Sequence, residues 1–380
     1  MIENNKPATN KEYGKPLFSN LQYCVRCCMP ETSEGINFDE MGICRACRSS
    51  EQKMHINWAA REKELRKILE YYKSKSGENY DCIIPISGGK DSVFQLHVLT
   101  RVYKMKPLAV TFNHNWYTET GKSNLWNALE TFNVDHIMFT PNRALVNKLA
   151  RHSLYKIGDS CWHCHAGIGA FPLQMAVKFN IPLLVWGESA AEFGSKASYK
   201  EIIEFDEEYY LKISTKVEPK KMVSDEISEK ELCPFFIPSR EELNKAGVKG
   251  IHLGDYIFWD GERQVEFIKK TYGWKERDVE GTYKKYKSVE CIMTGVHDYS
   301  KFLKRGFGRA TDHASIDVRI GTLSRAEGFE VIKRIDPKRP DILDYYLEIT
   351  GLTENEFRKI LKTQRRGKAK RLVLNNGKKW

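Results

Sequence analysis

No run in this chain approaches the roughly 18 consecutive apolar residues that a membrane-spanning helix needs, so no membrane span is expected. The first 20 residues are polar and hold no apolar h-region; a secretory leader is therefore not expected, and the cytoplasm is the expected location. Residues 1–19 read as a flexible arm. Acid is missing from residues 357–380, which hold ten Lys or Arg and no Asp or Glu. That stretch carries nearly all of the formal charge of +11, and the preceding body is close to neutral. A near-neutral body without an RRM-like or KH-like pattern argues against nucleic acid as the main partner. The basic tail also lacks the wide apolar face of a membrane-surface helix. Internal repeats, low-complexity segments and a Walker A loop are absent, as is a recognisable glutaminase nucleophile motif.

What is present is led by Ser87-Gly88-Gly89-Lys90-Asp91-Ser92. The hexapeptide follows the short apolar run 82–86 and opens a helix expected over 91–103. Strand, glycine-rich turn and helix is the context in which backbone N–H groups cradle phosphate, because glycine admits the close approach and the helix start offers unpaired donors. Lys90 adds a point charge, and Ser87 and Ser92 add hydroxyls. The six residues are similar to the PP-loop of the ATP pyrophosphatases. That resemblance implies cleavage of ATP to AMP and pyrophosphate and activation of a carbonyl or acid oxygen as an adenylate. Residues 87–92 are then expected to hold the β/γ-phosphates. Lys90, with Mg²⁺, would neutralise the leaving pyrophosphate, and Asp91 would cap its helix or hold the metal.

Downstream, strands expected at 108–113, 136–140 and 181–186 alternate with helices at 120–131, 142–155 and 167–179. This alternation predicts an α/β fold, a doubly wound parallel sheet with its ligand crevice beyond the strands' carboxyl ends. The crevice is expected to gather residues 87–92, 112–114 and 187–189, with Phe112 and Gly187 as further ATP contacts. The expected division is a flexible arm 1–19, a four-cysteine zinc module 20–56, a PP-loop domain 57–225, a helical substrate or partner region 226–356, and a basic tail 357–380. An amphipathic helix is predicted over 57–76, and Thr353 with Glu356 reads as a capping box.

The cysteines form a metal pattern rather than a disulfide pattern. Cys24/Cys27 and Cys44/Cys47 are two Cys-x-x-Cys pairs with 16 residues between them, the spacing of a structural zinc site. Cys28 is expected to pack as a thiol, a ligand swap with Cys27 being the alternative. The second group is Cys161-Trp-His163-Cys164-His165. Either His163 or His165 joins a zinc site with a distant cysteine, or Cys161 and Cys164 hold a [4Fe–4S] cluster with a third cysteine. Cys291 is the expected third ligand and Cys233 the other option; Cys82 is expected in the core.

The two N-terminal Cys pairs, the PP-loop with Cys161–His165, and the segment 297–313 (His-Asp-Tyr-Ser-Lys-Phe-Leu-Lys-Arg-Gly-Phe-Gly-Arg-Ala-Thr-Asp-His) together resemble the N-acetyl sugar amidotransferase family of bacterial lipopolysaccharide O-antigen and surface-polysaccharide biosynthesis. The resemblance runs from about residue 20 to about residue 350. It implies conversion of an acetamido group on a nucleotide-linked sugar, such as a diacetamido uronic acid or a nonulosonic-acid precursor, into an acetamidino group. Ammonia would come from a separate glutaminase with a cyclase-like partner, similar to the pair used in histidine biosynthesis. Within the segment, Arg309 with Lys301, Lys304 and Arg305 would meet an anionic sugar nucleotide, and Asp312 and His313 would orient ammonia or take its proton. Arg305 departs from the family pattern, which has an aromatic or apolar residue there. A tRNA thiolase carrying an Fe–S cluster is the alternative enzyme, and a non-catalytic zinc scaffold the alternative outside enzymology.

Overall fold

Short apolar runs stopped by turn residues become the strands of one sheet. In the computed structural model, which describes residues 13–193, 198–200, 202 and 204–380, these are β1 (Cys82–Pro85), β2 (Pro107–Phe112), β3 (Asp135–Phe139), β4 (Leu183–Trp186) and β5 (Lys249–His252). They lie in the order β3-β2-β1-β4-β5 with every pairing parallel. The first four match the expected strands. The fifth lies beyond residue 225, so the sheet extends into the region read as helical.

Helices α1 (Arg45–Lys53) and α2 (Trp58–Ser76) precede the sheet, and α3 (Lys90–Leu96), α4 (Glu119–Phe132), α5 (Arg143–Ile157) and α6 (Trp162–Lys178) connect its strands. The single turn α7 (Glu207–Tyr209) and α8 (Arg240–Ala246) lead to β5. Then follow α9 (Gly261–Tyr272), α10 (Thr294–Arg305), α11 (Arg309–Ile320), α12 (Arg325–Ile335), α13 (Leu343–Thr350) and α14 (Glu354–Thr363). Asn57 caps α2 through Ala60 N–H, and the Thr353/Glu356 capping box opens α14 as expected. The helix expected over 91–103 is α3 continued by a π-turn at His97–Val102.

Alternate strand residues serve opposite faces. Cys82, Ile84 and Ile86 pack with Leu65 and Leu69 of α2 and with Val265 and Ile268 of α9, whereas Ile83, Leu108, Val110 and Phe112 pack beneath α5 and α6. The strand order turns about β1, so the loops after β1 and β4 open into one crevice.

Two expectations about these elements change. Helix α6 begins at Trp162 and not at Gly167; buried Trp162 and Ala166 continue its apolar face one turn earlier. Phe112 does not face the crevice: its ring packs with Phe139, Phe171 and Phe235 in the core under α6. A Cβ built on Gly167 would run into that ring, so the glycine is what lets α6 lie on β2. Gly167→Ala is therefore expected to destabilise the protein by about 1–3 kcal/mol, read as a lower urea midpoint with unchanged slope.

The termini also differ from expectation. Residues 1–12, most of the predicted arm, lie outside the described residues, but Phe18 is fully buried against Phe302 and Trp380. The basic tail is folded: Phe357, Leu361 and Leu372 are buried, and Ser19 N–H donates to Val373 O at 2.9 Å. Among the described residues no helix is long and apolar enough to cross a membrane.

Candidate active site

The loop after β1 is shaped by glycine and by its own hydroxyls. Gly88 has φ +81°, and a Cβ there would sit 2.6 Å from Gly121 O and 2.7 Å from Leu125 N. Only glycine meets both the left-handed backbone and this close approach to α4. Ser92 Oγ donates to Gly89 O at 3.0 Å, and Trp274 Nε1–H donates to Gly88 O at 2.9 Å, anchoring the turn.

Lys90 is buried, with 3% of its surface exposed. Burial alone would pull its ammonium down; Asp91 and Glu188 outweigh this and hold it above its ordinary value. Burial likewise pushes Asp91 up, and Lys90 and Lys287 outweigh it, so the carboxyl stays below its usual range. Asp91 Oδ1 accepts from Lys90 Nζ and, at 3.3 Å, from Trp259 Nε1–H. The helix cap is Gly89, which offers no side chain, so Asp91 pairs with Lys90 rather than capping α3.

These residues line a cavity of about 580 Å³. Ser87, Gly89, Lys90, Asp91 and Ser92 form one wall, and Lys301, Lys304, Arg305, Arg309, Asp312 and His313 face them from α10 and α11. Gly88 supports the loop from behind. Gly187 stands behind the wall too: a Cβ there would meet the Trp259 ring at 3.1 Å, and the next residue, Glu188, is the one that reaches the cavity.

Arg309 is held at two points: Nε donates to Asp298 Oδ2 at 2.6 Å and Nη1 to Ser288 Oγ at 2.7 Å. Asp312 accepts from Lys301 Nζ at 2.5 Å. His313 Nδ1 lies 2.6 Å from Thr282 Oγ1. Burial, then Lys287 and Arg309, pull its pKa well below the usual histidine value, so its ring is neutral near pH 7. Arg305 pairs with Glu34 of the N-terminal module, which accounts for a cation where the family pattern is apolar.

Sequence reasoning missed Lys287 and Glu290, and it placed Glu188 at the crevice only as part of the stretch 187–189. Lys287 and Glu290 come from the irregular stretch between α9 and α10, where no periodicity marks them. Burial, then Lys90, pull the Lys287 ammonium down. Glu290 Oε2 has no hydrogen-bond partner among the described residues and would lie 3.2 Å from a Cβ on Gly89. Burial pushes its carboxyl up. Glu188 directly follows the glycine at the end of β4, and that position was its only mark.

The first cysteine expectation is met geometrically. Cys24 and Cys47 Sγ are 3.8 Å apart, Cys27 and Cys44 Sγ 3.7 Å, and all four sulfurs lie within 4.8 Å of one another. A tetrahedron with metal–sulfur bonds of about 2.3 Å has edges of about 3.8 Å, so the buried quartet fits a tetrahedral metal ion. Cys28 stays outside, its thiol directed at Arg325 O (3.7 Å) and pushed up to about 12 by burial. The module seats on the C-terminal helices: Arg325 Nε donates to Cys24 O (3.1 Å) and Cys27 O (3.0 Å), and Phe307 joins its apolar core. Met29, Glu34 and Ala46 thereby reach the cavity.

At the second cysteine group, Cys161 caps α6, and Cys164 and His165 sit on its first turn. Burial, then Asp159, raises the Cys161 thiol, and burial, then Cys291, raises the Cys164 thiol; the sulfurs of Cys161, Cys164 and Cys291 do not all lie within 4.8 Å of one another. Cys233 is exposed and lies beside Gln174 near the other end of α6, which removes it as a third ligand. His163 is fully buried and packs edge-on to Trp116 at 4.6 Å, away from the cavity.

Just past the carboxyl end of β2, His114 stacks on Tyr117 with ring centroids 4.6 Å apart, and burial lowers its pKa to about 4. An unfolded chain takes up that proton near pH 6.5, so the stabilisation is complete above 6.5 and is lost as pH falls towards 4. The linkage amounts to about 2 kcal/mol by pH 5. Wild type is expected to lose that much more stability than His114→Gln between pH 7 and pH 5, measured by urea unfolding.

A glycine-rich loop with a buried lysine, at the turning point of a parallel 3-2-1-4-5 sheet, is the α/β arrangement expected of a PP-loop fold. The C-terminal region matches a family model: residues 280–371 are similar to the family described as "LPS biosynthesis protein WbpG-like, C-terminal domain". The chain is also similar to "Uncharacterized protein MJ1599" of Methanocaldococcus jannaschii, with 26% identity over 324 residues, 85% of this chain and 96% of that protein. Similar solved structures include the U34-tRNA thiolase NcsA of Methanococcus maripaludis with its [4Fe–4S] cluster (14% identity, 83% of this chain, 89% of that chain, TM-score 0.35). NMN synthetase of Francisella tularensis is another (10% identity, 57% of this chain, 87% of that chain, TM-score 0.25).

Proposed function

We propose that this chain is an AMP-forming amidotransferase that converts the acetamido group of a nucleotide-linked sugar into an acetamidino group, using ATP and ammonia. One observation carries the proposal: a single cavity joins the PP-loop to a cationic wall made by Lys301, Lys304 and Arg309. An anionic sugar nucleotide bound to that wall would bring its N-acetyl group towards the ATP loop. An amide oxygen is a poor leaving group until phosphorylated. Its attack on the α-phosphorus of ATP expels pyrophosphate and gives an O-adenylated imidate; ammonia then adds at carbon and AMP departs. Lys90 stabilises the charge that builds on the pyrophosphate. Neutral His313 is suited to take the proton that ammonia releases, and Asp312 holds Lys301 beside it.

Mg²⁺ would supply charge neutralisation at the phosphates. Glu290, with its free oxygen beside Gly89, is better suited to hold it than Asp91, whose Oδ1 is engaged. We assign the Cys24/Cys27/Cys44/Cys47 ion as structural zinc, because four thiolates leave no open position. Ammonia is expected from a separate glutaminase.

The test is incubation with ATP, ammonium and nucleotide-linked diacetamido sugars. AMP and a product lighter by the difference between O and NH are expected. No AMP with any such sugar, but AMP with tRNA and a sulfur donor, would overturn the proposal in favour of a thiolase. Arg309→Lys should raise the acceptor KM about tenfold and destabilise the fold by about 1–3 kcal/mol, because an ammonium cannot keep both grips on Asp298 and Ser288.

A further inference from the structure

Beside the cavity, among the described residues, ligand atoms converge at a place other than the three cysteines. Cys161 Sγ and one ring nitrogen each of His165 and His297 lie within 4.8 Å of one another. Cys161 and His165 are four residues apart at the start of α6, hence on one helix face, and His297 comes across from α10. The two rings meet edge to face with centroids 5.6 Å apart. His297 is already oriented: its Nδ1 lies 3.1 Å from Asp298 Oδ1, which leaves Nε2 for another partner. Asp298 is 3% exposed and accepts from Arg309 through its other oxygen. A carboxylate fixing the far nitrogen of an imidazole is the arrangement that orients metal-bound histidines.

We infer that Cys161, His165 and His297 form a mononuclear site for a borderline-soft divalent ion, Zn²⁺ before others. One sulfur and two imidazoles are the donors such an ion takes, and three protein ligands leave a fourth position open. His165 and His297 both line the cavity that holds the PP-loop, so the open position faces the substrates and not the protein interior. The quartet of Cys24, Cys27, Cys44 and Cys47 is closed; this second site takes an exchangeable ligand, an oxygen or nitrogen donor from the cavity. Cys161 serves this ion and is not available to an iron–sulfur cluster with Cys164 and Cys291. One carboxylate, Asp298, ties a ligand of the ion to the cation Arg309. The site stands whether or not the acetamidino reaction does.

Zinc content after anaerobic loading with Zn²⁺ and desalting is the measurement. Wild type should hold one equivalent more than either His165→Gln or His297→Gln. Equal zinc in all three, or an iron–sulfur chromophore with acid-labile sulfide that persists in both variants, overturns the inference. A second measurement needs no variant. The visible bands of Co²⁺-loaded wild type should shift on adding azide, since only a site with an open position admits it; unchanged bands overturn the inference.

Discussion

Lys90→Ala is expected to slow AMP formation by about 10²–10³-fold while changing ATP affinity far less. The asymmetry follows from where the charge resides. On the proposed reading, ATP would also be held by the rest of the loop after β1 and the start of α3, whereas the charge that develops as pyrophosphate leaves calls on the buried, desolvated cation. Lys90→Arg should not rescue activity. A planar guanidinium spreads its charge over a fork and does not reproduce the compact point charge of the ammonium. Removing the ammonium also leaves Asp91 to Trp259 and Lys287, and some stability should be lost with it. Single-turnover conversion of labelled ATP to AMP separates the two effects; a Lys90→Ala rate within threefold of wild type, near the noise of such an effect, would sink the assignment.

Cys24→Ser, or prolonged exposure to a strong chelator, is expected to remove the metal of the quartet. Several kcal/mol of stability should go with it, since such ions contribute on the order of 10 kcal/mol to the folding of small modules. The loss should reach the cavity. Once the module loosens, Arg325 loses its carbonyl partners at Cys24 and Cys27, and Arg305 loses Glu34. AMP formation should therefore fall although no ligand of that ion touches ATP. Cys28→Ser is the control. Its thiol is buried but outside the quartet, so metal content should stay unchanged and stability fall by about 1–2 kcal/mol. Metal loss in Cys28→Ser equal to that in Cys24→Ser would mean the quartet has been misassigned.

The PP-loop was legible because its requirements are local: a left-handed glycine, a close backbone approach and a lysine leave a fixed spelling. The quartet was legible for a similar reason, since two Cys-x-x-Cys turns announce a tetrahedral site. Phe112 was misjudged because a strand covered on both faces is apolar throughout, and period two cannot say which side looks into the crevice. The fifth strand was missed because only four residues carry it, with Lys249 and Gly250 among them. Lys287 and Glu290 were invisible for a tertiary reason. They lie on irregular backbone whose place is set by the glycines it covers, Gly89 and Gly121, far away in sequence. His297 was visible only as one letter of a motif; its companions Cys161 and His165 lie more than 130 positions earlier.

The pairing of residues 17–20 with residues 371–375 sets a timetable for manufacture. Asn20 Nδ2–H donates to Arg371 O at 2.7 Å, Asn375 N–H donates to Leu17 O at 3.0 Å, and Lys368 lies 3.0 Å from Glu31, close to Met29 on the cavity wall. During synthesis the early segment therefore waits, with Phe18 uncovered, until more than 350 further residues have emerged. The loop after β1 and its sheet are complete long before that moment. A nascent chain thus has its sheet and the loop after β1 in place before the late-made residues buttress α10 and the N-terminal module, through Trp380 on Phe302 and Lys368 at Glu31.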